Sequence, residues 1–383
     1  MLRVKKILKW IIIVVGALLG ALALFLMFSY LRPNQAQVDA SVVAETWPIV
    51  NDGRHNSNTD LIEWNGALYL IHASAPFHFA SADTYLSLKR SSDNGRTWEE
   101  IARFGVQGED IRDPKFAAIG DQLFIYALKN VDFAAEPYAT VYSSSRDGKT
   151  WSPFEAVQPE GWLFWRPKTI DQRTWYVPAY WHEHGRSALL SSPDGKTWNI
   201  VSQIYEGDRN DETDAEFQPN GSLISTARLE FSDDYIGDQR GSTLIATSAA
   251  PYTQWITHTK DLVTRLDGPA LFSYNGNTYA VGRYQPELAW PFAQQGSILS
   301  RKRTALFQVK PEGLIYLTDL PSAGDTSYAG LVQRGDELYV EYYTSDVTRD
   351  WFWLMGMISP SEIRMARVNL PALERLAESK AIR

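Results

Sequence analysis

The chain has 383 residues, of which 44% are hydrophobic, 13% aromatic and 21% charged. This composition excludes a disordered chain, a collagen-like repeat and a protein with many membrane spans. The net charge of −8 is unfavourable for general nucleic-acid binding, so we predict no nucleic-acid partner. Because the sequence contains no cysteine, it excludes disulfides, a thiol nucleophile and zinc sites with cysteine ligands.

The N-terminus combines a basic tail with one long apolar segment. Residues 1–9 contain four Lys or Arg side chains, and an apolar run extends from Trp10 to Phe28. At about 1.5 Å per residue, the run matches the roughly 30 Å hydrocarbon core of a bilayer. It lacks the small-x-small cleavage site of a secretory signal, so we predict an uncleaved anchor over residues 10–31. The basic flank predicts a cytoplasmic tail and an extracytoplasmic domain over residues 32–383.

One eight-residue pattern recurs three times, as SSDNGRTW, SSRDGKTW and SSPDGKTW, at 91–98, 144–151 and 191–198. Asp or Asn before Gly, followed by a basic residue, Thr and Trp, is typical of a tight turn that joins two strands. Each Trp is expected to pack between neighbouring sheets. Fainter copies follow as SAAPYTQW at 248–255 and VKPEGLIY at 309–316, so the starts are 47 to 61 residues apart.

Short alternating apolar runs lie between these turns and predict strands. They are residues 67–71, 122–126, 278–281 and 337–340. A period near 50 residues in an all-β chain predicts a β-propeller of four-stranded antiparallel blades. Five copies and a further unit after Tyr328 give six blades. Strands near 40–49 and 362–368 should pair in the last blade and close the ring, and residues 370–380 should form a short helix.

The repeated turn resembles the Asp box, or BNR repeat, of the sialidase (neuraminidase) superfamily. These proteins are six-bladed propellers whose Asp boxes lie on outer turns away from the active site. The resemblance of the boxes therefore implies the fold, and activity needs support from residues that face the central cleft. A membrane-tethered propeller that binds glycans without catalysis keeps the same boxes and stays open as a hypothesis.

Two other segments resemble the sialidase site. Glu212 precedes a strand, an Asn-Gly turn and a returning strand that ends at Arg228, and Tyr328 precedes an apolar strand. The resemblance implies a retaining exo-glycosidase that acts on an acidic or related sugar and needs no cofactor. In it, Tyr328 is the nucleophile, Glu212 accepts its proton, and Arg228 is one of three arginines that bind the substrate carboxylate. A tyrosine with a pKa near 10 needs such a carboxylate neighbour.

The resemblance also implies the rest of the site. The arginine upstream of the nucleophile is expected at Arg301 or Arg303, because the arginine fork binds carboxylates in bidentate fashion. Arg54 takes the place of the first arginine, out of register with the Arg-Ile-Pro triplet of the family. Asp83 is the expected acid/base, with His78 as an alternative proton donor.

An Arg-Asp-Pro motif that begins at Arg112 resembles a different class, the five-bladed furanosidases such as invertases and arabinanases. In that class three inward-facing acids come from successive blades, and the equivalents here are Asp60, Asp113 and either Glu212 or Glu216. These carboxylates would act without a tyrosine nucleophile. In the sialidase-like alternative, Arg112 and Asp113 would instead line the cleft and contact substrate hydroxyls.

Two further segments bear on ligands and partners. His182 and His184 lie two residues apart without another ligand nearby in the sequence, so we predict no metal site. Residues 351–358 are apolar and interrupt the last predicted blade. They would contact the bilayer, cover the cleft, mediate self-association or pack as core.

Overall fold

The computed structural model describes residues 2–131, 137–287 and 294–381. Its strands form six four-stranded antiparallel sheets, which confirms the six-bladed propeller. Blade 1 contains β2 (His55–Trp64), β3 (Ala67–Ala75), β4 (Tyr85–Ser91) and β5 (Glu99–Phe104). Blade 2 contains β6 (Glu109–Ile119), β7 (Gln122–Val131), β8 (Ala139–Ser145) and β9 (Glu155–Ala156). Blade 3 contains β10 (Trp162–Phe164), β11 (Trp175–Trp181), β12 (Arg186–Ser192) and β13 (Asn199–Glu206).

The second half of the ring repeats the arrangement. Blade 4 contains β14 (Asn210–Phe217), β15 (Leu223–Leu229), β16 (Ser242–Ser248) and β17 (Ile256–Asp261). Blade 5 contains β18 (Asp267–Tyr274), β19 (Asn277–Tyr284), β20 (Arg303–Lys310) and β21 (Gly313–Asp319). Blade 6 contains β22 (Thr326–Arg334), β23 (Glu337–Thr344), β24 (Glu362–Asn369) and β1 (Val43–Val50).

Blade 6 closes the ring, because β1 pairs with β24 in antiparallel register from Val43 opposite Val368 to Val50 opposite Ile363. The predicted closure is therefore confirmed, and it removes a free sheet edge from the ring. Three helices accompany the sheets in the described part of the chain. They are α1 (Leu2–Leu31), α2 (Trp353–Met357) and α3 (Leu370–Ala381).

The helix α1 stands outside the propeller. Within Lys6–Leu31, the most apolar 18-residue stretch has a mean hydropathy of 2.9, and none of that stretch is buried. By length and composition the segment can cross a membrane.

The two ends of the propeller axis differ in the connections they carry. Each first strand begins at one end, which we call the upper face. The connections from second to third strands, and from each blade to the next, also lie at the upper face. The opposite end, the lower face, carries the turns between first and second strands and between third and fourth strands.

The three eight-residue copies are turns of the lower face and share one set of hydrogen bonds. Asp194 accepts hydrogen bonds from the backbone of Lys196 and Thr197 at 2.8 and 2.9 Å, and from Ser192 Oγ at 3.0 Å. Asp93 and Asp147 are held in the same way. Trp198 packs against Tyr126 of blade 2 and Phe164 of blade 3, as expected for a residue that fills the space between sheets.

Candidate active site

The first strands of five blades are bulged close to their start at the upper face. The register shifts lie between Ser57 and Thr59, Arg112 and Lys115, Asn210 and Thr213, Asp267 and Ala270, and Ser327 and Gly330. Bulges commonly re-aim side chains next to active sites. The residues within them include Asn58, Asp113, Glu212, Gly268 and Tyr328. The sequence-predicted Tyr328 and Glu212 therefore both lie in first-strand bulges, in different blades.

Tyr328 and Glu212 are in direct contact. The Tyr328 hydroxyl donates a hydrogen bond to Glu212 Oε1, and the backbone N–H of Gly268 donates to Oε2 at 2.6 Å. Burial raises the pKa of Tyr328 well above its usual 10, and the negative charge of Glu212 raises it further. The tyrosine is thus a neutral phenol whose proton already points at a carboxylate.

Gly268 explains how the backbone comes so close to this pair. Its φ is +59°, and a Cβ at this position would lie 2.9 Å from the Tyr328 ring. A side chain would therefore be strained by the backbone and would push the ring away from Glu212.

Two arginines flank the pair. Arg228 Nη1 lies 2.9 Å from Glu212 Oε2, and the same guanidinium pairs with Asp211 and Glu230. The Arg283 Cζ lies 5.3 Å from the centroid of the Tyr328 ring. Both positive charges lower the pKa of Tyr328 and so oppose the effect of its burial.

Arg283 is held by two buried carboxylates. Its nitrogens lie 3.2 Å from Asp267 and 3.3 Å from Asp325, and Asp267 also pairs with Arg265 at 2.8 Å. Burial alone would raise the pKa of Asp267, but Arg265, Arg283 and Arg228 outweigh it and hold the pKa far below the usual range. The arginines beside Tyr328 are therefore already neutralised in part by internal anions.

Sequence reasoning missed Arg283, although a signal was present. Arg228 follows Gly221 of an Asn-Gly turn by seven residues, and Arg283 follows Gly276 of another Asn-Gly turn by the same number. Both arginines lie at the ends of second strands, β15 and β19, in adjacent blades. The repeated spacing places both side chains at the upper face.

Arg301 and Arg303 occupy a different environment from the one expected of a clamp. Arg301 Nε lies 2.7 Å from Asp350, and Arg303 pairs with the same carboxylate. Lys302 lies between them and points to the other side, where its Nζ is 3.0 Å from Gln285 Oε1. Since successive side chains alternate on a strand, Lys302 faces the site and its two neighbours face Asp350.

The residues expected from blade 1 lie at the upper face but outside the Tyr328–Glu212 contact. Arg54 Nε binds Ser74 Oγ at 2.9 Å, and its guanidinium stacks on the Tyr85 ring. Asp83 is exposed, and its backbone carbonyl accepts a hydrogen bond from Arg54. His78 lies closer to the site, with its Nδ1 at 2.6 Å from Asp325 Oδ2.

Asp325 connects several upper-face elements through one buried carboxylate. Burial disfavours its charge, but His78 and His55 together reverse the effect and hold its pKa well below the usual range. Its other contacts at hydrogen-bond distance, besides Arg283, are Tyr343 Oη at 3.1 Å and Trp353 Nε1 at 2.7 Å. The Trp353 ring in turn lies over Arg283 and Lys302, at 4.5 and 5.0 Å. The apolar insertion therefore covers part of the site.

The residues of the furanosidase alternative are spread along the axis. Asp113 accepts a hydrogen bond from Asn58, and its charge contributes to raising the pKa of Tyr328. Asp60 pairs with Arg166 at 3.1 Å, and Glu216 pairs with Lys168 at 2.9 Å. Arg112, beside Asp113, binds Asp110 at 2.5 Å. Furanosidase chemistry would be favoured if Tyr328 were turned away from Glu212. In this structure Tyr328 instead contacts Glu212.

Among the residues that the structure describes, two groups of side chains have donor atoms close enough for a metal ion. They are His55, His78 and Asp325, and His184, Asp211 and Glu230. In the first group both histidines contact Asp325 Oδ2 at hydrogen-bond distances, 3.1 and 2.6 Å. In the second, Arg228 pairs with Asp211 and Glu230, so a cation would compete with a guanidinium.

No protein-family model and no curated protein sequence matches the chain. Among solved structures, a Dyadobacter fermentans protein of unknown function matches with a TM-score of 0.63 and 15% identity, covering 85% of this chain and 98% of the other. Trypanosoma rangeli sialidase matches with a TM-score of 0.60 and 13% identity, covering 87% and 59%. The NanB sialidase of Streptococcus pneumoniae matches with a TM-score of 0.58 and 10% identity, covering 89% and 71%. The chain spans about three fifths of the trypanosomal enzyme and shares the six-bladed propeller fold of sialidases.

Proposed function

We propose that this protein is a retaining exo-glycosidase of the sialidase type, anchored to a membrane by α1 with its propeller on the extracytoplasmic side. The observation that carries the proposal is the buried hydrogen bond from Tyr328 to Glu212, flanked by Arg228 and Arg283. A tyrosine nucleophile is a known exception to the scheme of paired carboxylates.

The proposed reaction has two steps. The Tyr328 oxygen attacks the anomeric carbon while its proton passes to Glu212, and the bond to the leaving-group oxygen breaks. Water then attacks the same carbon and gives a proton to the carboxylate that protonated the leaving group, the bond to Tyr328 breaks, and the tyrosine recovers its proton from Glu212. The raised pKa of Tyr328 keeps the nucleophile neutral until attack, so an anionic sugar is not repelled.

Protonation of the leaving group needs a second acid, and we assign it to Asp113. Its bulge at the start of β6 is equivalent to that of Tyr328, and Asn58 fixes one of its oxygens. Asp83, the acid expected from the sequence, is exposed and remains the alternative. A general acid must first lie within hydrogen-bond distance of the leaving-group oxygen, and only then does its pKa matter.

The affinity of the site for an acidic sugar depends on Asp267. Arg283 and Arg265 both pair with this buried carboxylate, and Arg228 lies 4.0 Å from it. A substrate carboxylate would compete with Asp267 for these arginines. We therefore expect weaker binding of an acidic sugar than three unpaired arginines would give.

The test is hydrolysis of aryl glycosides by the full chain in detergent, with a panel that includes sialosides, neutral pyranosides and furanosides. Tyr328→Phe should lower turnover at least about 1,000-fold, which corresponds to roughly 4 kcal/mol of barrier. Tyr235→Phe is the matched control, because Tyr235 is an exposed tyrosine of the same face. Asp113→Asn should lower turnover more than Asp83→Asn does.

Three results would contradict the proposal. Turnover that survives Tyr328→Phe excludes the tyrosine as nucleophile. Furanoside turnover that requires Asp60 and Asp113 would establish the furanosidase alternative. A folded protein that hydrolyses nothing in the panel but binds glycans would be a non-catalytic propeller.

A further inference from the structure

The helix α1 meets the propeller at the upper face, where the candidate site lies. Arg32, directly after α1, pairs with Asp350 at 2.9 Å, and Pro33 forms a β-bridge with Arg349. The indole N–H of Trp351 donates to the carbonyl of Tyr30 at 3.2 Å. These propeller residues belong to the connection between β23 and β24, which is an upper-face connection.

The contacts reach into the apolar part of the helix. The rings of Tyr30 and Trp351 stack at 5.5 Å between centroids, and those of Phe25 and Phe352 at 6.0 Å. Phe25 lies six residues before the end of α1, which is about 9 Å along the axis. Because Phe25 is within the apolar run, Phe352 lies at the depth of the bilayer surface when α1 spans it. Tyr and Trp are enriched at that depth in membrane proteins.

Exposed apolar side chains are concentrated on the same face. Phe79, Tyr235, Val263 and Ile358 come from upper-face connections of different blades, and each is at least 42% exposed. The exposed isoleucines of the lower half are Ile170, on a turn, and Ile200 and Ile256, near the starts of outer strands. Apolar groups presented around one face mark a binding surface.

Two consecutive residues make the anchor contact and the contact with the site. Phe352 packs on α1, and the next residue, Trp353, donates its indole N–H to Asp325 and lies over Arg283. Since Arg283 stacks near Tyr328, the site lies within a few side chains of the membrane surface.

We propose that the upper face rests on the bilayer that holds α1, so that the substrate is the sugar headgroup of a glycolipid in that membrane. The bilayer is the occupant because the anchor enters it beside the exposed apolar side chains. The orientation rests on the contacts of α1 and on the exposed apolar side chains, whereas the glycolipid substrate also rests on the proposed function.

The orientation is tested with single cysteines, which the cysteine-free sequence allows directly. Phe79→Cys, Val263→Cys and Ile358→Cys are compared with Ile170→Cys and Ile256→Cys, each labelled with an environment-sensitive fluorophore. The full chain is reconstituted in phosphatidylcholine vesicles with and without nitroxide-labelled lipid, and circular dichroism checks the fold. Upper-face labels should be quenched at least about threefold more than lower-face labels. Equal or reversed quenching would overturn the orientation.

The substrate is tested in the same vesicles. The rate on a ganglioside that bears a terminal sialic acid is compared with the rate on a soluble aryl sialoside. Val263→Asp should lower the first rate about tenfold and leave the second unchanged, and Ile256→Asp should change neither. A soluble substrate that is hydrolysed equally well, with Val263→Asp without effect, would contradict the glycolipid substrate. If neither compound is hydrolysed, the proposed function fails for sialic acid, and the quenching result still decides the orientation.

Discussion

The two ends of the propeller axis use aspartates in opposite ways. At the lower face, Asp93, Asp147 and Asp194 lie in similar turns and are held by backbone N–H and hydroxyl groups of the same turn. At the upper face, Asp267 and Asp325 are buried and bind side chains that come from other strands. The lower aspartates therefore depend on local sequence, and the upper ones depend on the assembled ring.

The lower-face aspartates stabilise individual turns of the fold, whereas the upper-face aspartates hold the side chains of the candidate site. A turn whose own N–H and hydroxyl groups bind its carboxylate can recur in several blades, because it needs no partner from a neighbouring blade. A buried ion pair is strongly destabilised when one partner is removed, since an unpaired charge is then left in the interior. Substitutions of buried charges at the upper face should therefore lower the free energy of unfolding more than substitutions in the lower-face turns.

The largest effect is expected for the buried arginine. Arg283→Met leaves Asp267 and Asp325 without one partner each and should lower the free energy of unfolding by about 3–5 kcal/mol. The comparison is Arg96→Met, which removes an exposed bidentate pair with Glu45 and should have a much smaller effect. Urea unfolding of both variants measures the difference. Equal losses would contradict the separation of the two ends.

Acid should weaken the two ends in different pH ranges. His72 of β3 pairs with Thr59, next to the upper-face bulge of blade 1, and burial lowers its pKa from 6.5 to about 4. Between these values the unfolded chain binds a proton that the folded chain does not, so stability falls as pH falls, by up to about 3 kcal/mol. His78, whose pKa burial also lowers, adds in the same direction. The lower-face aspartates, whose pKa values are depressed, lose their contribution only as pH falls below about 4.

The measurement is the urea midpoint from pH 7 to pH 3 for the parent and for His72→Gln. The variant should lose part of the slope between pH 6.5 and pH 4 and keep the slope below pH 4. His258→Gln is the control, because His258 is exposed. An unchanged slope in His72→Gln would show that His72 is not the group that responds.

The smallest effect is expected at the lower face. Asp194→Ala removes three hydrogen bonds from one turn and should cost about 1–2 kcal/mol. Glycoside turnover should stay within about twofold, because the turn lies at the opposite end of the strands from Tyr328. Lys196→Ala, in which the backbone N–H that binds Asp194 is kept, serves as the control. A large loss of turnover in Asp194→Ala would show that the two ends are coupled.

The fold could be predicted from the sequence because its signals are local. The turn pattern, the alternating runs and the period near 50 residues each act within one blade. The contact between Tyr328 and Glu212 joins residues 116 positions apart and was expected only from a resemblance. The bulges that bring them together have no distinctive sequence, since Asn58, Asp113 and Tyr328 all adopt a φ of 50° without being glycine.

The arginines show how little distance along the chain says about the direction of a side chain. Arg301 and Arg303 were selected by their distance upstream of Tyr328, but their partner Asp350 lies 47 residues beyond Arg303 in a buried position. The direction of the Arg283 side chain follows from its position at the end of a second strand. Its distance from Tyr328 along the chain does not reveal that position. Position within the repeating unit is therefore a better guide than distance along the chain.

Closure of the ring by β1 and β24 has a consequence for biosynthesis. Blade 6 needs a strand from residues 43–50 and three strands from residues 326–369, so it is assembled from the earliest and latest parts of the propeller to be synthesised. The growing chain would hold β1 unpaired until Glu362–Asn369 has been made. Tyr328 belongs to the same blade, so its contact with Glu212 would form only after translation has passed the last strand.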